Sequence, residues 1–130
     1  MVILPFLEIA QSPIHGRGVF ATEDIEEGTL IEFSPLIVLP SSERGILQSS
    51  RLYDYYFEWS ESQIAVGLGY LSIYNHASPA NCYWERLEDK QAMRVISRSF
   101  ITRGEELTID YMTGDKALEK LWFDAKNRQD

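Results

Sequence analysis

Apolar residues recur in short runs along this chain, and single glycines, prolines or charged corners separate the runs. This pattern is typical of short strands joined by turns. It predicts strands at 6–9, 18–21, 29–33, 36–39, 63–66, 82–87, 92–97 and 107–109. The segment 87–91 is mostly charged or polar and lies between two apolar runs, so it predicts the tip of a hairpin.

Two segments have helical features. The first lies within 42–54, where Ser41 or Ser42 can cap a short helix although the apolar spacing is poor. The second is better defined, because Asp115 can cap a helix from 116 to about 127. Its apolar face would consist of Ala117, Leu118, Leu121, Trp122 and Ala125. Many short strands with two minor helices predict a β-rich α+β domain.

The composition is that of one globular domain, with 130 residues of which 45% are hydrophobic and 25% are charged. The net charge of −8 repels phosphate backbones and anionic membranes, so direct nucleic-acid binding is disfavoured. A basic partner such as a Lys-rich peptide would be attracted, although an acidic surplus is commonly only a device for solubility.

The chain has a single cysteine, Cys82, which excludes an intramolecular disulfide and a cluster of thiolate zinc ligands. The apolar opening at 1–7 has no basic flank and no small-residue cleavage site. No apolar run approaches the roughly 18 residues that a membrane span needs. We therefore expect a soluble intracellular protein with no metal and no membrane contact.

The segment 15–21 carries two glycines, Gly16 and Gly18, at the entrance to a strand. Glycine lets backbone N–H groups approach a ligand closely, which suits a carboxylate-bearing small molecule. The alternative is a plain turn. A dinucleotide fingerprint is rejected, because the third glycine and the following helix are missing.

The segment 75–81 is a polar loop that contains Asn75, His76 and Asn81. Asn offers donors and an acceptor, and neutral His offers one of each, so the pair at 75 and 76 can hold a ligand's amine or amide in a dry site. The alternative is a loop whose Asn and His cap its own backbone. His76 is a weaker candidate as a metal ligand, because no second His or Cys lies at ligand spacing.

The segment 105–111 is a strand that runs into Tyr111. Two carboxylates near a phenol could act as acid–base machinery. Alternation places Leu107 and Ile109 on one face and Thr108 and Asp110 on the other, so the segment taken alone predicts an ordinary sheet edge.

In order and together, these three segments resemble the SET-domain family of protein-lysine methyltransferases. The family's glycine motif corresponds to 16–20, its Asn-His-Ser-Cys-x-Pro-Asn motif to 75–81, and its Glu-Leu-x-x-Asp-Tyr motif to 106–111. The likeness spans residues 14–111. The second motif departs from the family at Ala77, Ser78 and Ala80.

The resemblance implies a single SET domain over 1–130. Its β-clip-like fold would contain several small curved sheets, a C-terminal segment threaded beneath a loop, and a short C-terminal helix at 116–127. The inserted segment at about 41–63 is brief, and no cysteine-rich flank is present. In both respects the chain resembles the minimal SET proteins of viruses and bacteria.

The resemblance also implies S-adenosylmethionine as the cofactor. Its methionine end would lie against the backbone of Arg17, Gly18 and Phe20 and the side chain of Asn75, with the His76 backbone near the adenine. Trp122 or Phe123 would cover the adenine. Tyr111 would be the catalytic residue, with its hydroxyl directed toward the methyl group and the lysine nitrogen, and its alternative role is that of a packing tyrosine.

The partner implied is a basic, lysine-containing protein or peptide that enters from the opposite side. The altered loop leaves a second interpretation open, namely a catalytically inactive SET-like interaction module. A homodimer is compatible with so small a core. The expected location is cytoplasmic, or nuclear if the protein comes from a eukaryote or its virus.

Overall fold

A computed structural model describes residues 1–110. The strands are β1 (Val2–Ile3), β2 (Leu7–Gln11), β3 (Arg17–Ala21), β4 (Leu30–Pro40), β5 (Tyr56–Ser60), β6 (Gln63–Gly67), β7 (Asn75–His76), β8 (Cys82–Leu87), β9 (Ala92–Ser97) and β10 (Glu106–Ile109). One short α-helix, α1 (Arg44–Gln48), and three 3₁₀ helices at Ser41–Glu43, Arg51–Asp54 and Glu88–Lys90 complete the described elements. The β-rich character predicted from the sequence is confirmed.

The strands follow the order β2-β3-β10-β8-β9-β4-β6-β5, with β1 added to β4 and β7 added to β10. The β8–β9 hairpin has the predicted bounds, and its tip turns at Gln91, whose φ is +47°. None of the helices within residues 1–110 is long and apolar enough to cross a membrane.

Strand β4 joins two parts of the sheet. Its first half pairs with β9 as far as Pro35, and its second half pairs with β6 from Leu36 onward. Proline has no N–H to donate, and Pro35 occupies the point where the strand exchanges one partner for the other. The prediction of two separate strands at 29–33 and 36–39 was therefore wrong, because the proline marks a change of partner rather than an end.

The predicted inserted segment carries more sheet than the sequence indicated. The helix expected within 42–54 is divided into α1 and two 3₁₀ helices, and β5 follows directly and pairs with β6. Leu47, Tyr56 and Ile64 form a small second core that attaches α1 to this hairpin.

The main core lies between the larger strands and includes Val19, Ile31, Tyr74, Leu107 and Ile109, all fully buried. Burial of such side chains supplies the principal stabilising free energy of a domain this size.

Strand β10 is central. It pairs antiparallel with β3, and it pairs in parallel with both β7 and β8. Thr108 is only 6% exposed, so both faces of the strand are covered. The prediction of an ordinary sheet edge was wrong, since edge character is decided by partners that come from elsewhere in the chain. The C-terminal helix predicted at 116–127 lies outside the described residues.

Candidate active site

Asn75 joins the second sequence motif to the first. Its side-chain Nδ2 donates to the backbone carbonyls of His15, at 3.0 Å, and Arg17, at 3.1 Å. The residue is 1% exposed, and its backbone lies opposite Thr108 in the parallel pairing of β7 with β10. Parallel strands need a long connection between them, so residues distant in sequence meet here.

Glu106 adds a carboxylate to this junction. Its Oε2 accepts a hydrogen bond from Asn75 Nδ2 at 2.8 Å, and the Ser12 hydroxyl is 2.7 and 2.9 Å from its two carboxylate oxygens. A Cβ added at Gly18 would lie 2.1 Å from Glu106 Oε2, so the carboxylate fills the space beside this glycine. Glycine is therefore required at position 18 for close approach.

Sequence reasoning did not place Glu106 or Ser12 among the cofactor-binding residues. Glu106 was part of a recognised motif, but nothing local distinguished it from Glu105 as the carboxylate that turns toward β3. Ser12 precedes the glycine motif and belongs to none of the three segments, so it carried no signal of its own.

Asn81 braces β10 at the far end of the same loop. Its Oδ1 accepts from the Thr108 N–H at 2.8 Å, and its Nδ2 donates to the Glu106 carbonyl at 2.9 Å. The interpretation in which the loop's asparagines cap their own backbone is therefore wrong for Asn75 and Asn81, since both bind other segments.

His76 lies opposite Ile109 in the same parallel pairing. Its Nδ1 is 3.8 Å from Asp110 Oδ1, and the two side chains are 28% and 15% exposed. This half-buried pair marks the end of β10. No group of three or more His, Cys, Asp or Glu side chains within the described part of the chain could hold a metal ion.

The predicted cofactor residues come from two strands that share one neighbour. Arg17, Gly18 and Phe20 belong to β3, Asn75 and His76 belong to β7, and both strands pair with β10. The structure thus brings five of the six together. The sixth, Trp122, lies outside the described residues, as do its alternative Phe123 and the predicted catalytic residue Tyr111.

A second buried polar group supports the segment before Asn75. The Glu32 carboxylate on β4 accepts from the Tyr74 hydroxyl at 2.5 Å, the Ser34 hydroxyl at 2.6 Å and the Tyr70 N–H at 2.9 Å. Gly69 has φ +60°, and a Cβ there would lie 2.2 Å from Glu32 Oε2.

Burial shifts the titration of this group. Desolvation raises the pKa of Glu32 above 4.5, against the lowering effect of its three hydrogen bonds. Desolvation and the neighbouring Glu32 also raise the pKa of Tyr74 well above 10.0, so its hydroxyl keeps its proton and donates. The residue directly before Asn75 is therefore anchored to β4.

The family model for the SET domain matches residues 16–112. The chain is 36% identical over 126 residues to a histone-lysine N-methyltransferase of Schizosaccharomyces pombe described as H3 lysine-37 specific, a match that covers 95% of this chain and 80% of that protein. It is 28% identical to the human histone-lysine N-methyltransferase 2B, over 79% of this chain but only 4% of that protein.

Solved structures give the same result for the fold. A Plasmodium falciparum protein assigned to the histone methyltransferases superposes with a TM-score of 0.68 at 27% identity, covering 86% of this chain and 97% of that one. The Polycomb Repressive Complex 2 of Chaetomium thermophilum, in a humanized mutant bound to the inhibitor GSK126, gives a TM-score of 0.65 at 26% identity, covering 82% of this chain and 15% of that one.

This chain belongs to the SET-domain family. The SET fold predicted from the resemblance and the enzyme class predicted with it, a protein-lysine N-methyltransferase, are confirmed, whereas the domain bounds of 1–130 and the C-terminal helix at 116–127 stay predictions.

Proposed function

We propose that this protein transfers a methyl group from S-adenosylmethionine to the side-chain amine of a lysine in a basic protein, and that a histone is the first substrate to test. The observation that carries the proposal is the junction at Asn75, whose side chain bonds to His15 and Arg17 at the glycine motif and to Glu106 on β10. Three motifs that are far apart in sequence thus meet at one place.

The polar atoms of the junction fit such a cofactor. The methyl donor carries an ammonium group, and the contacts of Asn75 Nδ2 with the carbonyls of His15 and Arg17 and with the Glu106 carboxylate leave the amide oxygen of Asn75 as its acceptor. Oxygen acceptors suit a cationic ligand. The exposed Arg17 side chain starts β3, and the backbone of that strand supplies the predicted contacts at Gly18 and Phe20.

Each residue has one role in this proposal. Asn75 holds the amino-acid end of the cofactor and His76 holds the adenine through its backbone. Trp122 or its neighbour Phe123 covers the adenine. Tyr111 directs its hydroxyl toward the reacting centre and aligns the lysine nitrogen for in-line attack.

When bound, the cofactor supplies an electrophilic methyl group on sulfur. The lysine must arrive as a neutral amine, although at a pKa of about 10.4 only on the order of one lysine in a thousand is neutral near pH 7. Desolvation next to the like charge of the sulfonium would lower that pKa, with the proton released to water. The lysine nitrogen would form the N–C bond as the C–S bond breaks, and holding nitrogen, methyl carbon and sulfur in line would supply several kcal/mol as avoided entropy.

The charge of the chain favours a basic substrate. Twenty acidic residues against twelve basic ones give −8, and a negative surface raises the association rate of a Lys-rich peptide. The relatives compared above are named for histone lysines, which fits this preference. A histone substrate also fits the predicted intracellular location, which would be nuclear in a eukaryote.

The test is incubation of the protein with isotopically labelled cofactor and recombinant histones, followed by mass spectrometry of the modified residues. We expect label on lysine, a lower initial rate as ionic strength rises, and a large loss of rate in Tyr111→Phe with nearly unchanged cofactor affinity by calorimetry. Cofactor binding without any methyl transfer to basic proteins would favour the inactive interaction module instead. Equal rates for Tyr111→Phe and the parent protein would remove Tyr111 from the catalytic role.

A further inference from the structure

The side-chain amide of Asn75 is held in one orientation. An amide has a donor end and an acceptor end that differ by a rotation of 180°. In the described residues, every side-chain hydrogen bond of Asn75 is made by Nδ2, to His15 O, Arg17 O and Glu106 Oε2. The opposite orientation would place Oδ1 against three acceptors, so these contacts fix which end of the amide faces away from them.

Glu106 is itself held by Ser12. The Ser12 hydroxyl has one proton to donate, and its oxygen already accepts from the Ile14 N–H at 2.9 Å and the His15 N–H at 3.4 Å. That proton is therefore directed at the Glu106 carboxylate, at 2.7 and 2.9 Å. Ser12 is only 7% exposed, so water competes little for this contact.

The close approach at Gly18 shows that the Glu106 carboxylate occupies one defined position. A Cβ at this position would lie 2.8 Å from Glu106 Cδ and 3.1 Å from Asn75 Nδ2. The second glycine of the glycine motif thus leaves room for the Glu106–Asn75 contact.

We propose that Ser12 and Glu106 are positioning residues for the cofactor, which set the Asn75 amide so that its Oδ1 accepts from the ammonium group at the amino-acid end of S-adenosylmethionine. The inference rests on the proposed function. Glu106 acts through Asn75 and not by direct attraction of the sulfonium. Its loss therefore weakens binding of the amino-acid end and leaves binding of the nucleoside end unchanged.

The test compares three ligands by calorimetry. S-adenosylmethionine has both the sulfonium and the amino-acid end, S-adenosylhomocysteine has the amino-acid end with a neutral sulfur, and 5′-methylthioadenosine lacks the amino-acid end. In Glu106→Gln we expect the affinity for the first two ligands to fall about tenfold, as for the loss of one charge-assisted hydrogen bond, and the affinity for 5′-methylthioadenosine to stay unchanged. KM for the cofactor should rise with little change in kcat at saturation.

The matched control is Glu105→Gln, which removes the neighbouring carboxylate that accepts from the Thr102 N–H instead. It should leave all three affinities unchanged. Ser12→Ala, which removes no charge, should weaken the same two ligands by a smaller factor and carries the test if Glu106→Gln does not fold.

Two results would overturn this inference alone. An equal loss for all three ligands would mean a structural role, and a loss for S-adenosylmethionine without a loss for S-adenosylhomocysteine would mean direct attraction of the sulfonium. A parent protein that binds none of the three ligands would overturn the proposed function together with the inference.

Discussion

Replacing Gly18 by alanine tests the packing at the centre of the site. Gly18 lies on β3 between its partners β2 and β10, opposite Ala10, so its backbone has little freedom to move. The new Cβ would stand 2.1 Å from Glu106 Oε2, well inside van der Waals contact. The flexible end of the Glu106 side chain must then leave its seat, and the hydrogen bonds from Ser12 and Asn75 break with it.

The size of the effect follows from those bonds. A hydrogen bond to a charged group contributes about 1.5–3 kcal/mol, and the half-buried Glu106 can regain part of this from water once displaced. Alanine also restricts the unfolded chain more than glycine does, which offsets about 0.5–1 kcal/mol of this loss of unfolding free energy. We therefore expect Gly18→Ala to lower the free energy of unfolding by about 2–4 kcal/mol, which corresponds to a Tm lower by roughly 10 °C for a chain of this length.

Denaturant unfolding of the parent protein and four variants, namely Gly18→Ala, Gly45→Ala, Glu106→Ala and the Gly18→Ala/Glu106→Ala double variant, measures the effect and its cause. Gly45→Ala is the matched control, because Gly45 lies on the short helix α1 and a Cβ there meets nothing within 4 Å. It should leave stability unchanged or slightly raised. Glu106→Ala removes the clashing atoms, so in that background Gly18→Ala should lower the free energy of unfolding far less. If Gly18→Ala lowered the free energy of unfolding equally in both backgrounds, the packing argument would be refuted.

Three further predictions concern Glu32, Cys82 and Asn81. Because burial raises the pKa of Glu32 above 4.5, the folded state holds this proton more tightly than the unfolded state, so its stabilising contribution is present below pH 4.5 and is lost as pH rises through the folded pKa. Glu32→Gln should remove that part of the pH dependence, and parallel stability-against-pH curves for the two proteins would contradict this. Burial raises the pKa of Cys82 to about 12, so iodoacetamide should label the native protein only as fast as it unfolds. Rapid labelling of native protein would show the thiol to be accessible. Asn81→Ala should lower the free energy of unfolding in urea by about 2–3 kcal/mol, because it leaves the Thr108 N–H and the Glu106 carbonyl without their side-chain partner. A change below about 0.5 kcal/mol, the range of an ordinary surface substitution, would show that these two hydrogen bonds do not stabilise the domain.

Local patterns in the sequence predicted the strands that are bounded by clear turns. The hairpin strands 82–87 and 92–97 agree in both bounds, because each is a short run rich in apolar residues and a charged turn separates them. The three motifs were predicted to meet through their joint resemblance to a family. No single motif carried enough information to predict that meeting.

The predictions that were wrong or missing share one physical cause, because each depended on contacts with residues distant in sequence. Pro35 locally indicates the end of a strand, but β9 and β6 extend the strand across it from both sides. The segment ending in Ile109 alternates like an edge strand, but β3 and β8 enclose it. Glu106 and Ser12 are separated by 94 positions, so no local pattern could reveal their contact.

Strand β10 links the stability of the domain to the geometry of its site. Glu106 uses its side chain to hold Asn75 and its backbone carbonyl to bind Asn81. The backbone of Thr108 lies opposite Asn75 in the parallel pairing and also donates to Asn81. Each end of the loop 75–81 is therefore fixed to the same strand.

This arrangement has a consequence for ligand binding. Because the donors of Asn75 are already satisfied by the protein, the amide needs no reordering when a ligand arrives, and the entropy of fixing it is spent during folding. A substitution at Asn81, which touches no proposed cofactor contact, should then weaken cofactor affinity by freeing the opposite end of the loop. The same substitution should lower the stability of the ligand-free protein, since both properties depend on the same hydrogen bonds to β10.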